Sequence, residues 1–369
     1  MRIGVPREIK DGERRVGLTP GQVRELVELG HEVRCESRAG AGIGVSDEDY
    51  GEAGARIVDV SGAWDVELIV KVKDLQPGEA ARLQAGSTVF CFQQLAAAPG
   101  LTRDIAARGA NAIAYELVRD AHGAFPLLAP MSVIAGRMAV PVGAHLLGAP
   151  QGGCGTLLAR APGAEPAQVL VLGAGNAGSN AAELAAAMGA RVTLLCRSES
   201  TRAALRARFG ERVRADLATP QVVEAAALAA DLVIGAVFLP ATPTPKLLAR
   251  PLVERMKRGA VLVDISIDAG GVAETSRLTT HSDPTFVEAG VVHYCVSNMP
   301  AAFPRTATQA LSSAVFPFVR ELARLGIGPA VRADAALRAG VLIWNGIPTY
   351  PGIAANAGLD CIPAEAVFS

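Results

Sequence analysis

The chain alternates short apolar runs of strand length with longer stretches whose apolar residues recur at helical spacing. The first series of predicted strands covers 2–6, 32–36, 68–72, 88–92 and 112–115. The second series covers 168–172, 191–195, 231–237, 261–265 and 291–296. Helices are predicted between the strands, as at 20–29, where Thr19 is the expected N-cap. Such alternation predicts parallel sheets.

Two long apolar segments mark the organisation of the chain. Residues 127–147 are apolar with many small side chains, and residues 306–325 carry apolar side chains at helical spacing, so both are predicted helices. We therefore predict an α/β fold of two Rossmann-like, doubly wound parallel-sheet domains joined by long helices. The predicted boundaries place 1–127 with 306–369 in one domain and 128–305 in the other. Ligands are expected at the carboxyl ends of the strands.

Composition agrees with this fold class and excludes several others. The 369 residues are 50% hydrophobic but only 4% aromatic, with 39 glycines, which suits strands buried on both faces. The formal net charge of −1 offers no electrostatic footprint for nucleic acid. The N-terminus has no apolar signal region, and prolines interrupt the apolar stretch 125–151, so no membrane span is expected. Scattered cysteines and histidines predict a cytoplasmic protein without a metal site.

The segment 173–178 carries the strongest local motif. It matches G-x-G-x-x-G and lies between a predicted strand and an alanine-rich predicted helix. Glycines permit the tight turn, the approach of a pyrophosphate and close helix–strand packing. An ordinary strand–helix turn is the alternative. The context favours a dinucleotide, and the predicted cofactor-binding residues of this segment are Gly173, Gly175, Asn176, Ala177 and Gly178.

The end of the next predicted strand bears on the choice of dinucleotide. An acidic residue about 20 positions after the motif usually holds the ribose 2′-hydroxyl of NAD, whereas Cys196 occupies that place here. Without a carboxylate there, Arg197, Ser198 and Arg202 are candidates to bind a 2′-phosphate. We therefore predict that NADP(H) is favoured over NAD(H). The alternative is that Arg197 and Arg202 are solvated surface charges.

Further motifs carry a family resemblance that runs nearly from end to end. They occur, in order, at 2–10, 15–20, 70–74, 127–132, 135–139, 262–268, 274–281 and 293–300. On these segments the chain resembles the alanine dehydrogenase/transhydrogenase N-terminal-domain family. The resemblance implies that 1–127 with 306–369 is the substrate (catalytic) domain and 128–305 the dinucleotide-binding domain. It also implies a homo-oligomer, a hexamer or a dimer.

The resemblance also implies roles for particular residues. Arg15 and Lys73 match the residues that bind the carboxylate and carbonyl of a 2-oxo acid, and Asp268 matches the active-site aspartate. A guanidinium suits a carboxylate and an ammonium can polarise a carbonyl oxygen. Lys71 alternates with Lys73 on a strand, so at most one of them need face a substrate. The positions that flank the nicotinamide in the family correspond to Met131, Ser132, Val296, Asn298 and Met299.

One implied catalytic position departs from the family. Its acid/base histidine, just before a Leu-Ala-Ala segment, is replaced by Gln94. A glutamine can donate a hydrogen bond to the substrate but cannot exchange protons near neutral pH. Polar residues of neighbouring family motifs are also replaced, by Val133, Cys154 and Ala269.

These departures predict altered chemistry. We expect an NADP(H)-dependent oxidoreductase that reduces a C=N or C=O next to a carboxylate. The substrate would be a 2-oxo acid or its imine with a second amine, and the product an opine, another secondary amine or an amino acid. The first alternative is the family's usual reaction, L-alanine to pyruvate plus ammonia. Less favoured are a catalytically silent nucleotide-binding protein and a transhydrogenase half.

Overall fold

The computed structural model describes residues 1–239 and 243–368. The strands are β1 (Arg2–Val5), β2 (Glu32–Glu36), β3 (Arg56–Val58), β4 (Leu68–Val70), β5 (Thr88–Cys91), β6 (Asn111–Ala114), β7 (Gln168–Leu172), β8 (Arg191–Cys196), β9 (Val213–Leu217), β10 (Leu232–Gly235), β11 (Val261–Asp264), β12 (Thr285–Glu288), β13 (Val291–Tyr294), β14 (Val341–Trp344) and β15 (Ile347–Pro348). The α-helices are α1 (Pro20–Glu28), α2 (Asp47–Glu52), α3 (Val60–Trp64), α4 (Pro99–Ala107), α5 (Ala129–Leu146), α6 (Asn176–Ala187), α7 (Glu199–Phe209), α8 (Pro220–Ala229), α9 (Arg250–Val253), α10 (Pro304–Leu325), α11 (Ile327–Ala333), α12 (Ala335–Ala339), α13 (Pro351–Ala357) and α14 (Ala364–Val367).

The chain folds into two compact units. Unit 1 comprises Met1–Met131 and Phe303–Ser369, and unit 2 comprises Ser132–Ala302. The predicted boundaries differ from these by four residues at the first crossing and three at the second. The long helices α5 and α10 lie at the crossings, where the apolar segments predicted helices. Within residues 1–239 and 243–368, no helix combines the length and apolarity that crossing a membrane requires.

Unit 1 is built on a sheet with the order β15-β14-β6-β5-β4-β1-β2-β3. The strands β1 to β6 pair in parallel, while β14 and β15 add an antiparallel edge. All residues of β4, β5 and β6 are buried, as expected of central parallel strands covered on both faces. The parallel part has the doubly wound order 3-2-1-4-5-6.

Unit 2 repeats this order in its own sheet, β12-β13-β11-β10-β7-β8-β9, with β12 as the antiparallel edge. Strand order reverses between β7 and β10, where Leu172 is the register partner of Gly235. This reversal creates a crevice at the carboxyl edge of the sheet. The prediction of two Rossmann-like doubly wound domains is therefore confirmed. Strands β3, β9, β12, β14 and β15 were not predicted.

Candidate active site

A glycine-rich turn joins β7 to α6 at the carboxyl edge of the sheet in unit 2. Gly173 has a φ of +100°, and a Cβ there would lie 2.4 Å from the carbonyl oxygen of Ala236. A Cβ on Gly178 would lie 1.8 Å from the carbonyl oxygen of Gly173. Gly175, by contrast, has no atom within 4 Å of its Cβ position. Gly173 and Gly178 therefore permit the tight turn and its packing. Gly175 leaves the outer surface of the turn open to a ligand.

The exposed start of α6 suits the pyrophosphate of a dinucleotide. Gly175 and Asn176 are exposed there, and Ala177 is half-buried. Gly136 of α5 packs against the same turn, because a Cβ on it would lie 2.1 Å from the carbonyl oxygen of Ala177. The first N–H groups of a helix lack intrahelical acceptors and favour an anion. The residues present therefore fit a bound dinucleotide, which the turn 173–178 would hold.

The end of β8 carries a thiol where a carboxylate would contact a ribose. Cys196 is buried, and its Sγ lies 3.5 Å from the carbonyl oxygens of both Ser198 and Asp216. Burial raises the pKa of this thiol, so it stays neutral near pH 7. Ser198 caps α7 by accepting the backbone N–H of Thr201 at 3.2 Å. Arg197 is exposed beside it.

Arg202 differs from Arg197 because carboxylates already hold it. Its Nε and Nη2 donate to Glu199 at 3.1 and 2.7 Å, and its Nη1 donates to Asp216 at 3.3 Å. The pKa of Asp216 is lowered, mainly by the hydrogen bond from the backbone N–H of Leu217. A 2′-phosphate would have to compete with two carboxylates for Arg202. Arg197 makes no ion pair with any residue that the structure describes.

Asp268 lies in the loop after β11 and meets the loop after β13. Ser297 Oγ donates to one oxygen of Asp268, and the backbone N–H of Asn298 points to the other at 3.5 Å. The two loops meet because β11 and β13 are adjacent and parallel, so both leave the sheet at the same edge. Asp268 is exposed, whereas Val296 and Met299 are buried. The structure thus brings together four of the residues implied by the resemblance and adds Ser297.

A buried carboxylate organises the loop that carries Asp268. Asp264, the last residue of β11, accepts the backbone N–H groups of Ser266 at 3.1 Å and Val272 at 2.8 Å, and the hydroxyl of Ser276 at 2.6 Å. Burial raises the pKa of Asp264, and these hydrogen bonds oppose the increase. The direction in which Asp268 projects is therefore set from the interior of unit 2.

In unit 1, Arg15 is buried with a matched carboxylate. Its Nε and Nη2 donate to the two oxygens of Glu13 at 2.7 and 2.5 Å, and both side chains are almost fully buried. The Nη1 of Arg15 contacts Sδ of Met131 at 2.9 Å. The two parallel hydrogen bonds to Glu13 fix the plane of the Arg15 guanidinium. Ser132, which follows Met131, is half-buried in α5.

Lys71 and Lys73, two residues apart beyond β4, have different environments. The Nζ of Lys71 lies 3.2 Å from Glu8 and 2.9 Å from Glu79, with its side chain fully buried. Burial acts to lower the pKa of Lys71, but the two carboxylates outweigh it and the net shift is upward. The Nζ of Lys73 instead lies 5.7 Å from the centroid of the Phe92 ring. Lys73 is also largely buried, at 8% exposed. Lys71 is committed to two buried carboxylates, and Lys73 remains the residue that the resemblance implies for substrate contact.

Replacing Lys71 by methionine is expected to destabilise unit 1 by about 3–5 kcal/mol, because two buried carboxylates would lose their cation. Burial already raises the pKa of Glu8. A carboxyl with a raised folded-state pKa stabilises the fold when protonated and loses that contribution as pH rises. The deficit relative to the unmodified protein should therefore be larger at pH 8 than at pH 5.

Urea unfolding at pH 5, 6.5 and 8 measures this effect. Arg255→Met is the control, since its ion pair with Glu224 is exposed and is worth less than about 1 kcal/mol. An equal loss of stability in the two variants, or a deficit that grows toward pH 5, would show that Lys71 does not neutralise these carboxylates.

Gln94 follows β5 in an uncommon backbone conformation. Its φ and ψ of 49° and 28° lie in the left-handed region, which costs a residue with a Cβ roughly 1–2 kcal/mol. Glu116 accepts the N–H of Gln94 at 3.0 Å. Burial raises the pKa of Glu116. Backbone N–H groups, chiefly that of Gln94, and the charge of Lys73 oppose the increase. Gln94 itself is exposed.

Several functional neighbours were missed by reasoning from the sequence. Four of them are acidic or hydroxyl residues that contact the implied site residues: Glu13, Glu116, Asp216 and Ser297. The fifth, Asp264, binds the loop that carries Asp268. A signal existed for Glu116 and Asp264, because each lies at or just beyond the end of a buried strand, where parallel strands place polar groups at one edge. The contacts of Asp216 and Ser297 depend on neighbouring strands and had no local signal.

Comparison with known proteins agrees with this geometry. Two doubly wound units, one carrying a dinucleotide turn and the other a buried arginine and lysine, define a two-domain nucleotide-dependent protein. The family models described as alanine dehydrogenase/PNT, N-terminal domain and C-terminal domain match residues 4–135 and 139–351. The chain belongs to the alanine dehydrogenase/PNT family.

Individual relatives support the same assignment. An alanine dehydrogenase of Halomonas elongata is 48% identical over the whole of both chains, and one of Mycobacterium tuberculosis is 45% identical over the whole of both. A solved L-alanine dehydrogenase superposes with a TM-score of 0.93 at 43% identity, covering 96% of this chain and 99% of that one. A transhydrogenase of Sinorhizobium meliloti shares the fold with a TM-score of 0.82 at 22% identity, covering 95% of this chain and 99% of that one.

Proposed function

We propose that this protein is a nicotinamide-dinucleotide-dependent amino-acid dehydrogenase that interconverts L-alanine and pyruvate. In the reductive direction, a 2-oxo acid, ammonium, reduced dinucleotide and a proton give the amino acid, oxidised dinucleotide and water. The observation that carries this proposal is the full-length similarity, at 48% identity, to an alanine dehydrogenase. It ranks above the imine-reducing chemistry that the sequence suggested, which becomes the second candidate.

Each unit has a defined task in this proposal. Arg15, already oriented by Glu13, binds the substrate carboxylate. Lys73 polarises the carbonyl or imine group and stabilises negative charge that develops on it. In unit 2 the turn 173–178 binds the pyrophosphate, and the nicotinamide, when bound, supplies or accepts the hydride. Ser132, Val296, Asn298 and Met299 are proposed to flank the ring.

Proton transfer distinguishes this chain from an enzyme with a histidine at position 94. Gln94 can donate a hydrogen bond to the substrate but cannot take up a proton. Asp268, which Ser297 orients, and Lys73 are the proposed proton carriers. A positioned acid/base group typically contributes about 10²–10⁴-fold to the rate, so turnover should be slow unless these groups replace it.

Gln94 also favours a second candidate, the reduction of an imine formed from a 2-oxo acid and an amine. Such an imine can be protonated before it binds, so its reduction depends less on an acid/base side chain. The product would be an N-substituted amino acid. The same Arg15 and Lys73 contacts would serve this substrate.

Oxidation of the reduced dinucleotide in the presence of substrate separates the two candidates. Pyruvate with ammonium should support turnover if the first is correct, and L-alanine should reduce the oxidised dinucleotide in the reverse assay. Turnover only with pyruvate and a primary amine would support the second instead. Absence of turnover with every oxo acid and amine, despite dinucleotide binding, would reject both.

We propose further that NADP(H) is preferred, on the basis of Cys196 and the exposed Arg197. Arg197→Ala is expected to raise the KM for NADPH roughly tenfold, equivalent to about 1.4 kcal/mol, with little change for NADH. Cys196→Asp should move the preference toward NADH, because the new carboxylate repels a 2′-phosphate and accepts from a ribose hydroxyl. Arg255→Met is the control. Equal effects on the two dinucleotides would contradict this preference.

A further inference from the structure

The backbone just beyond β5 is hydrogen-bonded to one side-chain carboxylate, that of Glu116. Glu116 accepts the N–H of Gln93 at 3.1 and 3.2 Å, with both oxygens, and the N–H of Gln94 at 3.0 Å. Strands β5 and β6 are parallel neighbours whose last paired residues are Cys91 and Ala114. Glu116 lies two residues beyond Ala114, so its carboxylate takes the place of carbonyl groups that a longer β6 would have supplied.

The same arrangement recurs one strand along the sheet. Glu8, three residues beyond β1, accepts the N–H of Val72 at 2.6 Å and of Lys73 at 3.3 Å with one oxygen. On the other side of β4 the backbone ladder continues, since Lys71 N–H donates to the carbonyl oxygen of Phe90 at 3.2 Å. In both places a carboxylate beyond the end of one strand accepts two consecutive backbone N–H groups beyond the end of its neighbour. The second N–H of each pair belongs to a candidate substrate-binding residue, Lys73 or Gln94.

We propose that Glu116 is a positioning residue that holds Gln94 in its left-handed conformation and so directs the Gln94 side chain. A residue with a Cβ remains in such a conformation only where its surroundings over-determine it. The carboxylate holds the peptide plane that enters Gln94, because it accepts the N–H groups of Gln93 and Gln94. The plane that leaves Gln94 is held by the N–H of Ala97, which donates to the carbonyl oxygen of Gln94 at 3.1 Å. Without the carboxylate, Gln94 is free to relax to a right-handed or extended conformation, which redirects its side chain.

Placement matters more for Gln94 than for a charged residue at the same position. A neutral amide acts through directional hydrogen bonds at close range, so its contribution is lost when it is displaced. A role for Gln94 at the substrate rests on the proposed function. The conformation that Glu116 imposes does not depend on that function and can be measured separately.

Glu116→Gln is the test variant, because it keeps the size of the side chain but removes its charge and leaves a single neutral oxygen for the two backbone N–H groups. Its NH₂ group replaces the second carboxylate oxygen, which accepts the N–H of Gln93. Hydrogen exchange, followed by mass spectrometry, should accelerate at least tenfold in peptides covering 92–98 and stay unchanged elsewhere in unit 1. Glu183→Gln, at an exposed carboxylate of unit 2, is the matched control and should leave the 92–98 peptides unaltered. Unchanged exchange in Glu116→Gln would overturn the proposal whether or not the protein is active.

A double-mutant cycle tests the link to turnover. Glu116→Gln and Gln94→Ala are each expected to lower kcat/KM for the oxo acid about tenfold, the effect of roughly one hydrogen bond, with dinucleotide Kd unchanged. The double variant should be no worse than Gln94→Ala alone, because Glu116 acts through Gln94. The positioning role would be overturned if the double variant lost kcat/KM by the product of the two single losses. It would also be overturned if Glu116→Gln lost no kcat/KM. If the unmodified protein turns over no oxo acid, the proposed function fails while the exchange experiment still decides the conformation.

Discussion

Replacing Lys73 by methionine is expected to lower kcat/KM for the oxo acid about 10²–10³-fold. The expected loss is that of a preorganised donor to a developing negative charge. Methionine retains most of the apolar stem of Lys73, which lies beside the ring of Phe92. Dinucleotide affinity should not change, because the glycine-rich turn belongs to unit 2. Steady-state kinetics and a fluorescence titration with the dinucleotide measure the two quantities.

The neighbouring lysine and a remote one give the controls for this result. Lys71→Met should lose stability, because Lys71 is paired with the buried Glu8 and Glu79. Lys257→Met, which removes an ion pair with Asp231 in unit 2, should keep its activity. If Lys73→Met unfolded readily while Lys71→Met lost only turnover, the roles assigned to the two lysines would have to be exchanged.

The second large effect is expected at the glycine-rich turn, where two substitutions of the same size should differ in kind. A Cβ on Gly178 meets the carbonyl oxygen of Gly173, a backbone atom that cannot move aside. Gly178→Ala should therefore destabilise unit 2 by about 1–3 kcal/mol and abolish dinucleotide binding. Gly175→Ala meets no protein atom within 4 Å and should leave stability within about 0.5 kcal/mol.

Gly175→Ala should nevertheless weaken dinucleotide binding at least tenfold, or about 1.4 kcal/mol, because the new methyl group occupies the approach of the pyrophosphate. Thermal unfolding with and without dinucleotide separates the two effects. Gly352→Ala, at another open position, is the control and should alter neither quantity appreciably. Tight binding by Gly175→Ala would place the pyrophosphate away from this turn.

Local sequence patterns predicted the elements that are buried on both faces. Strand β7 matches its predicted range, because nearly uninterrupted burial produces an uninterrupted apolar run. Strand β2 also matches, although its sequence Glu-Val-Arg-Cys-Glu alternates polar with apolar residues. The strands that were missed lie mostly at sheet edges or alternate polar with apolar residues. Strand β9, for example, reads Val-Arg-Ala-Asp-Leu and its Arg214 is exposed. Such a segment pairs because a neighbouring strand is already in place, which no local pattern records.

The candidate site divides in the same way. The glycine motif of 173–178 and the missing acid at Cys196 are local features, so the sequence alone could identify them. The family resemblance implied roles for Arg15, Lys73, Gln94 and Asp268. It did not indicate which residues form hydrogen bonds or ion pairs with them. Arg202 illustrates the difference, since it was a predicted phosphate ligand and the structure pairs it with Glu199 and Asp216.

By itself, the sequence determined the two-domain α/β architecture, the glycine-rich turn and the presence of a glutamine at position 94, because each depends on residues close together in the chain. Only the tertiary structure decided that Lys71 is an interior ion-pair partner of Glu8 and Glu79. It alone showed that Glu8, Glu13 and Glu116 bind site residues and that Asp264 binds the loop that carries Asp268. Glu8 and Glu116 act on partners 65 and 22 residues away in sequence. Their partners are set by which parallel strands lie side by side, and that order appears only when the sheet has formed.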